Sequence, residues 1–378
     1  MTRVLALLLL MAADGPAAVP TLKVAYRYDG NAAPLIDACT YGGDFRSRYG
    51  LYLEETRTKQ LFSLYDGPEQ TLSVRLEGFD SDSAVLAALQ SGGAQVGILR
   101  CEAVLTAVLE GRPVRVIAPS QYRGDRLVVN ESVPARNWSE FCTWVKARKR
   151  PVSVGFLEPR STALLGFRQA LAYENLRFED AAGRLAGDGE SLKVRLVRVD
   201  DKAPPCGIQG ELQDGRLDAA VLAEPTATWV GSASGCRDIG RIDDLPPGRF
   251  EDCPGTVIAS TNSAISEQGE AVGRFLELMG VATHYVNNHA HNTIVAVIRW
   301  LETPPAREST ALSNVRFSSR PDANFKTGLW NWYFALRLRK ALPDSLSGYM
   351  EEKEWLGVPY DSTLLMPALD RAGARIIR

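Results

Sequence analysis

Short apolar runs rich in β-branched residues alternate with helical patterns over most of the chain. Four such runs precede residue 120: Leu22–Tyr26, Leu72–Leu76, Gln95–Leu99 and Val114–Ala118. Helical patterns separate the last three runs, and the first of these helices places Val85, Leu86 and Leu89 on one face. Alternation of this kind predicts an α/β architecture with mostly parallel strands.

The same alternation restarts after residue 126. Its strand-like runs are Leu127–Asn130, Pro151–Phe156, Leu192–Val199, Ala219–Leu222 and Thr256–Ser260. A long helix follows, with Val272, Phe275 and Leu276 at helical spacing, and the tail contains an aromatic helix at Phe325–Leu342. The two runs of alternating elements predict two α/β units within one chain.

The chain returns to its first unit after Pro254, which determines the predicted domain limits. One lobe is expected to comprise residues 19–126 plus 259–378, and the other residues 127–258. Two crossing segments, near Leu127–Asn130 and Thr256–Ser260, would join the lobes and permit hinge closure.

The first eighteen residues have the pattern of a secretory signal peptide. Arg3 supplies a positive charge, Val4–Ala13 is an apolar run, and Gly15 to Ala18 offers small residues for cleavage. A short buried strand or helix is the alternative. Ten apolar residues are too few to span a bilayer, which takes about 20. We therefore predict export, with residues 1–18 removed and the mature chain in the periplasm or another extracytoplasmic space.

Composition and charge exclude some partners. The 378 residues are 45% hydrophobic and 23% charged, with a formal net charge of −2 and no run of five like charges. This lacks the basic footprint that nucleic acid requires, so no nucleic-acid partner is predicted.

The six cysteines are widely scattered and form no C-x-x-C pair, so no metal site is predicted from them. Cys206, Cys236 and Cys253 lie in loop-like contexts of one region, which makes them the candidates for a disulfide. Free buried thiols are the equally supported alternative.

Two segments share one motif, a helix ended by glycine and followed by a buried strand: Leu86–Ile98 and Gly210–Val221. With Gly50-Leu51, Pro151 to Gly155 and Glu224-Pro225, they resemble type II periplasmic solute-binding proteins of the sulfonate, nitrate and thiamine-precursor group. The resemblance covers residues 22–290. The chain departs from the group at Gln95, where Asp is usual, and in the extended segment Arg57–Gln70.

This resemblance implies a two-lobed type II periplasmic-binding-protein fold with the ligand cleft between the lobes. It also implies a monomeric, extracytoplasmic binding protein that delivers a small molecule to the permease subunits of an ABC transporter. No enzyme activity and no cofactor are expected.

In open α/β sheets, ligands bind beyond the carboxyl ends of the strands, where helix N-termini present free N–H groups. Each residue at such a position has the alternative of being a loop or capping residue. As a set they predict a cleft, and the candidate ligand-binding residues are Arg27, Tyr28, Asp29, Phe79, Asp80, Ser81, Arg100, Cys101, Tyr122, Arg123, Glu158, Arg160, Ser161, Thr162 and Glu224.

The residue types in this set suggest a ligand class. Four arginines could pair with an anionic group, and tyrosine and phenylalanine side chains supply aromatic walls. We therefore expect a small organic anion, such as a sulfonate or a carboxylated ring. A neutral aromatic or pyrimidine ligand stacked on Tyr28, Phe79 or Tyr122 is the alternative.

The sequence lacks the common enzyme signatures. It has no Gly-rich phosphate loop and no Gly-x-Ser-x-Gly motif, and His284, His289 and His291 lie at a helix end, as surface histidines do. No catalytic or metal-binding residue is predicted. Two alternatives stay open: a cleft enzyme resembling thiamine-pyrimidine synthases, whose Cys-rich motif is missing here, and a ligand sensor for a signalling receptor.

Overall fold

The computed structural model describes residues 19–199, 206–248, 250, 253–337 and 359–377, with the backbone alone for Cys206 and residues 333–337. The predicted signal peptide, residues 1–18, lies outside the described residues. Within them, fifteen strands form two sheets, which confirms the α/β class.

The strands, in chain order, are β1 (Thr21–Arg27), β2 (Leu51–Arg57), β3 (Leu61–Asp66), β4 (Glu69–Phe79), β5 (Val96–Arg100), β6 (Val114–Tyr122), β7 (Asp125–Asn130), β8 (Val152–Phe156), β9 (Arg177–Glu179), β10 (Leu185–Ala186), β11 (Leu192–Arg198), β12 (Ala219–Ala223), β13 (Cys236–Arg241), β14 (Pro254–Thr261) and β15 (Arg316–Phe317).

The helices, in chain order, are α1 (Ala33–Thr40), α2 (Gly42–Tyr49), α3 (Asp82–Gln90), α4 (Cys101–Leu109), α5 (Trp138–Ala147), α6 (Thr162–Tyr173), α7 (Cys206–Gln213), α8 (Thr226–Gly231), α9 (Asn262–Glu267), α10 (Gly269–Asn288), α11 (Ala290–Leu301), α12 (Pro305–Ser313), α13 (Ala323–Arg337) and α14 (Leu365–Ile376).

The first sheet has the strand order β15-β6-β14-β5-β1-β4-β3-β2. Its central strand β1 runs parallel to β4 and β5, with Val24 beside Leu76 and Val96. Apolar residues alternate along β1, so that Leu22, Val24 and Tyr26 face one core and Ala25 faces the other. Helices α1, α10 and α14 cover the first face, and α3, α4 and α13 cover the second.

The second sheet has the order β10-β9-β11-β8-β12-β7-β13. Its centre is parallel, since β8 lies between β11 and β12 and runs in the same direction as both. Phe141 of α5 and Phe167 of α6 pack on one face, while Ile208 of α7 and Val230 of α8 pack on the other. Each sheet is therefore enclosed by helices on both sides, as parallel strands require.

Three details differ from the sequence-based expectation. The sheets are mixed and not mostly parallel, because β14 is antiparallel to both β5 and β6, and β7 is antiparallel to β12. The extended segment before β4 is an antiparallel hairpin of β2 and β3. The helix of the second glycine motif is Cys206–Gln213, so it begins four residues before Gly210, where the motif was expected to start.

The glycine motif itself is confirmed. Gly92 and Gly215 have φ of 73° and 70°, the left-handed conformation that glycine adopts after a helix. Each precedes a buried central strand, β5 and β12.

The chain passes from the first sheet to the second through Arg123 and Gly124, between β6 and β7, and returns between β13 and β14. Both residues have positive φ, 67° and 102°. The limits of the two lobes stay a prediction.

No disulfide joins two cysteines whose side chains are described. Cys236 is a free thiol, as are Cys39, Cys101 and Cys142, which agrees with the free-thiol alternative for Cys236. The side chain of Cys206 lies outside the described residues, so a disulfide that involves it stays a prediction.

Candidate functional site

A cavity of about 260 Å³ lies between the two sheets and is lined from both. The first sheet and its helices contribute charged residues: Arg27, Asp29, Asp82, Arg100 and Glu102. The second sheet and its helices contribute Leu157, Glu158, Ser161, Ala163, Arg198, Val199, Val221, Leu222, Ala223, Glu224 and Thr226. Larger surface grooves of about 690 and 580 Å³ lie against the first sheet and its helices alone. The smaller cavity is the candidate site because it lies at strand ends and joins both sheets.

Arg100 connects the two sides of this cavity. It ends β5 and is only 5% exposed. Its Nε donates to Glu102 Oε1 (3.0 Å), and its Nη2 donates to Asp125 Oδ1 (3.1 Å) and Thr162 Oγ1 (3.2 Å), both of which belong to the second sheet and its helices. Its backbone N–H donates to Asp82 Oδ1 (2.9 Å). The Thr162 hydroxyl donates to Asp125 in turn, so the guanidinium holds a buried polar network together.

Arg27, at the end of β1, has a similar acidic environment. Its Nη1 lies 2.7 Å from Asp82 Oδ2 and its Nε lies 3.0 Å from Asp29 Oδ2. Asp29 also accepts a hydrogen bond from the backbone N–H of Asn31 (2.9 Å). Both arginines of the first sheet therefore reach the cavity already paired with carboxylates.

Two helix N-termini reach this region, as the sequence predicts. Ser81 caps α3 by accepting from the backbone N–H of Ala84, and Ser161 caps α6 by accepting from that of Leu164, each at 3.2 Å. Ser161 lines the cavity, so the N-terminus of α6 presents its partial positive charge there.

Glu224 follows β12 and connects the second sheet to segments packed on the first. Its carboxylate accepts from the Thr228 backbone N–H (3.0 Å), the Thr228 hydroxyl (2.8 Å) and Asn314 Nδ2 (2.6 Å). Its backbone carbonyl accepts from Asn31 Nδ2 (3.2 Å). These bonds tie the two sides of the cavity together beside the arginine network.

Burial perturbs the carboxyl groups of the cavity. Desolvation raises the pKa of Glu102 to about 7, against the opposing charge of Arg100 and with a further rise from Asp125 and Asp82. Burial also raises the pKa of Asp29, which Arg27 partly offsets, and that of Glu224. Perturbed groups gathered in one cleft indicate a functional site.

Six of the fifteen residues expected at the site line the cavity: Arg27, Asp29, Arg100, Glu158, Ser161 and Glu224. Thr162 touches it indirectly through Arg100. Sequence reasoning missed Asp82, Glu102, Asp125 and Arg198. Asp82 and Glu102 occupy the first turns of α3 and α4, immediately after strand ends, so the same rule that selected their neighbours would have included them.

The aromatic residues expected as walls lie elsewhere. The Tyr28 hydroxyl donates to the backbone carbonyl of Trp300 (2.6 Å), and Phe79 packs against the core of the first sheet. Tyr122 is buried beneath the guanidinium of Arg316, 4.6 Å from the ring centre.

The remaining candidates also lie off the cavity lining. Asp80 is exposed, Cys101 is buried in the first turn of α4, and Arg123 belongs to the crossing segment between the sheets. Arg160 pairs with Glu110, the C-cap of α4, with Nη1 3.1 Å from Oε1, and both side chains are partly exposed. This ion pair spans the two sheets outside the cavity.

The described residues contain no group of three or more His, Cys, Asp or Glu side chains placed to hold a metal ion. They also include no helix with the length and apolarity needed to cross a membrane.

Comparisons with solved structures show the fold. The structure is similar to the periplasmic nitrate-binding protein NrtA of Synechocystis PCC 6803, with a TM-score of 0.64, 14% identity and coverage of 95% of this chain and 91% of that one. It is also similar to the periplasmic aliphatic sulphonate-binding protein SsuA of Escherichia coli, with a TM-score of 0.62, 13% identity and coverage of 86% and 89%. A zinc-bound ligand-binding component of an ABC-type import system from Staphylococcus aureus gives a TM-score of 0.65 at 11% identity, covering 92% and 99%.

Comparisons of sequence show the family. An uncharacterised protein of Methanocaldococcus jannaschii is 27% identical over 100 residues, which are 26% of this chain and 69% of that protein. The family model described as the NMT1-like family matches residues 15–300, well over half of the chain. The chain belongs to the NMT1-like family and has the periplasmic-binding-protein fold.

Proposed function

We propose that this protein is an extracytoplasmic solute-binding protein that encloses a small polar ligand between two lobes and delivers it to the permease subunits of an ABC importer. The observation that carries the proposal is the cavity lined from both sheets, with Arg100 and Glu224 bonded across it. The nitrate- and sulphonate-binding proteins similar in fold support the same role.

The proposed lobes are residues 19–126 plus 259–378 and residues 127–258, with residues 1–18 removed on export. Arg123 and Gly124 would form one hinge strand, because hinge closure needs a few residues at element ends that absorb changes in φ and ψ. The segment between β13 and β14 would form the other.

The contacts across the cavity are those expected of a closed form. Arg100 with Thr162, Asn314 with Glu224, and Arg160 with Glu110 each join the proposed lobes. A ligand held from both sides would favour this form over an open one by its differential affinity for the two.

The ligand would be small and would not be a simple anion. A cavity of about 260 Å³ equals the volume of about nine water molecules in the liquid. Among its lining residues, carboxylates outnumber guanidinium groups, and Arg27 and Arg100 are already paired with carboxylates. The four arginines therefore no longer favour an anion, since Arg123 and Arg160 do not line the cavity.

The proposed role is binding without chemical conversion. The cavity lining contains carboxyl and guanidinium groups and the hydroxyls of Ser161 and Thr226, and it has no histidine to act as a base for either hydroxyl. The three similar structures described above are binding proteins or a ligand-binding component as well.

The test begins with the small molecule that the purified protein retains, identified by native mass spectrometry. Adding that molecule to ligand-stripped protein should raise the melting temperature and lower the radius of gyration measured by X-ray scattering, with the mass of a monomer throughout. Deleting the gene should abolish cellular uptake of the molecule. Conversion of the molecule into a product, or full-length protein beginning at Met1 in the cytosol of its native host, would contradict the proposal.

A further inference from the structure

Two buried charged groups of the cavity have an atom that no described residue satisfies. Arg100 uses Nε and Nη2 for Glu102, Asp125 and Thr162, and its Nη1 has no hydrogen-bond partner among the described residues. Glu102 uses Oε1 for Arg100, and its Oε2 has no partner in the same part of the chain. Both residues line the cavity and are more than nine-tenths buried, at 5% and 8% exposed.

An unsatisfied buried charge is costly, and two such atoms on residues that line one cavity indicate what kind of ligand would satisfy them. Each orphaned polar atom costs about 1 to 3 kcal/mol of desolvation, and more when the group is charged. Arg100 and Glu102 touch through Nε and Oε1, so their unused atoms belong to groups in direct contact. The cavity lining therefore includes one cationic donor group and one anionic acceptor group on two side chains in direct contact.

Further groups add to the positive and the negative side of the cavity. Beside Arg100, the N-terminus of α6 adds partial positive charge, since its cap Ser161 and its residue Ala163 line the same cavity and the helix is 12 residues long. Beside Glu102, the carboxylates of Asp29 and Asp82 add negative charge, and they line the cavity next to Arg27.

We infer that the ligand is a small zwitterion, with an ammonium group bound by Glu102 and an anionic oxygen group bound by Arg100 and the N-terminus of α6. The inference rests on the proposed binding function and specifies its ligand class. A simple anion would leave Glu102 Oε2 without a hydrogen-bond donor. A simple cation would leave Arg100 Nη1 without an acceptor. A zwitterion satisfies both atoms, and its charges need only a few bonds between them.

Calorimetry on ligand-stripped protein tests this directly. The probes are glycine, β-alanine, 4-aminobutanoate, 2-aminoethanesulfonate and the proteinogenic L-amino acids, each with its two half-molecules, the acid without the amine and the amine without the acid. At least one zwitterion should bind, and each of its halves should bind at least 30-fold more weakly, which corresponds to about 2 kcal/mol. The carboxylate and sulfonate probes distinguish the two kinds of anionic group.

A pair of variants separates the ammonium contact from a general loss of structure. E102Q should weaken binding of that zwitterion at least 30-fold, about 2 kcal/mol, and leave binding of its amine-free half within about 3-fold of wild type. E77Q, a change at an exposed carboxylate of β4, is the matched control and should bind as wild type does. If E102Q does not fold, the comparison of zwitterion with half-molecules on wild-type protein decides alone.

The outcomes distinguish this inference from the proposed function. If no zwitterion binds more tightly than its halves, or the tightest ligand found is a monoanion or a neutral ring, the zwitterion inference is wrong and the binding function stands. If neither the probes nor a retained molecule binds and the scattering shows no compaction, the binding function itself is wrong.

Discussion

Replacing Arg100 with methionine should destabilise the protein before it affects any ligand. The guanidinium is 6% exposed, and its partners Glu102 and Asp125 are 11% and 5% exposed in their side chains. Removing one member of a buried ion pair leaves an uncompensated charge and typically costs about 3 to 5 kcal/mol. Solvent screening reduces this energetic cost only slightly, because all three groups are buried. We therefore expect Arg100→Met to lower the free energy of unfolding by about 3 to 5 kcal/mol at pH 8.

The loss should also depend on pH, with a sign that follows from Glu102. Burial already raises the pKa of this carboxyl to about 7, and Arg100 is the group that opposes the rise. Without the guanidinium the folded-state pKa lies higher still, so the variant regains stability as Glu102 takes up a proton at lower pH. The difference between wild type and Arg100→Met should therefore be smaller at pH 5.5 than at pH 8.

Urea denaturation at the two pH values measures both effects, with Arg100→Met/Glu102→Gln/Asp125→Asn as the matched variant. The triple variant removes the unpaired charges along with the guanidinium, so it should recover part of the lost stability at pH 8. A loss below about 1 kcal/mol, or a loss equal at both pH values, would refute the account of Arg100 as a buried charge centre.

Three further predictions concern other parts of the structure. Burial, with smaller contributions from Asp29 and Glu224, raises the pKa of Glu308 from 4.5 to about 7, so the protein loses stability as pH rises from about 4.5 through 7. Glu308→Gln should therefore be about 3 kcal/mol more stable than wild type at pH 8 and equal to it near pH 4.5, as measured by urea denaturation. Glu277 is fully buried and accepts hydrogen bonds from Arg371 Nε and Arg375 Nε, each at 2.6 Å. Glu277→Leu should therefore lower the free energy of unfolding by about 3 to 5 kcal/mol and expose α14 to limited proteolysis. An α14 that stays uncut in this variant would contradict the role of Glu277 in docking the helix. A Cβ at Gly42 would lie 2.2 Å from the backbone oxygen of Leu53, so Gly42→Ala should lower the melting temperature. The control is Gly43→Ala in the same helix, where a Cβ meets no atom within 4 Å. This control should leave the melting temperature unchanged or raise it.

The sequence was informative about strands that are buried on both faces. The runs Val96–Leu99 and Ala219–Ala223 are apolar throughout, and each of them lies in a central strand of its sheet. The β2–β3 hairpin was missed because only the first three residues of β2 are buried and the rest are exposed and polar. Strand direction was predicted less well, since apolar periodicity is the same for β14, which is antiparallel to its neighbours, as for a parallel strand.

The position of the candidate cavity could be predicted, but not its charge. The strand-end rule selected Arg27, Arg100 and Ser161, which line that cavity, because the rule depends only on the order of elements along the chain. The pairing of Arg27 with Asp82 joins residues 55 positions apart, and that of Arg100 with Asp125 joins residues 25 apart. No local sequence pattern links residues so far apart. Four arginines at predicted strand ends therefore suggested an anionic ligand, which Arg27 and Arg100 do not favour once they are paired with carboxylates.

The polar character of the contacts across the cavity bears on how a ligand could control closure. The bonds of Arg100 with Thr162 and of Glu224 with Asn314 need precise geometry, so a small rotation about the crossing segments would break them together. In an open form water would replace these partners, which keeps the net free energy of each bond to about 1 kcal/mol, or somewhat more where a charge is involved. Two forms that differ by so little can be interconverted by a ligand of moderate differential affinity. The unused atoms of Arg100 and Glu102 provide that difference, because a ligand that satisfies them while the cavity is closed binds the closed form more tightly than the open one.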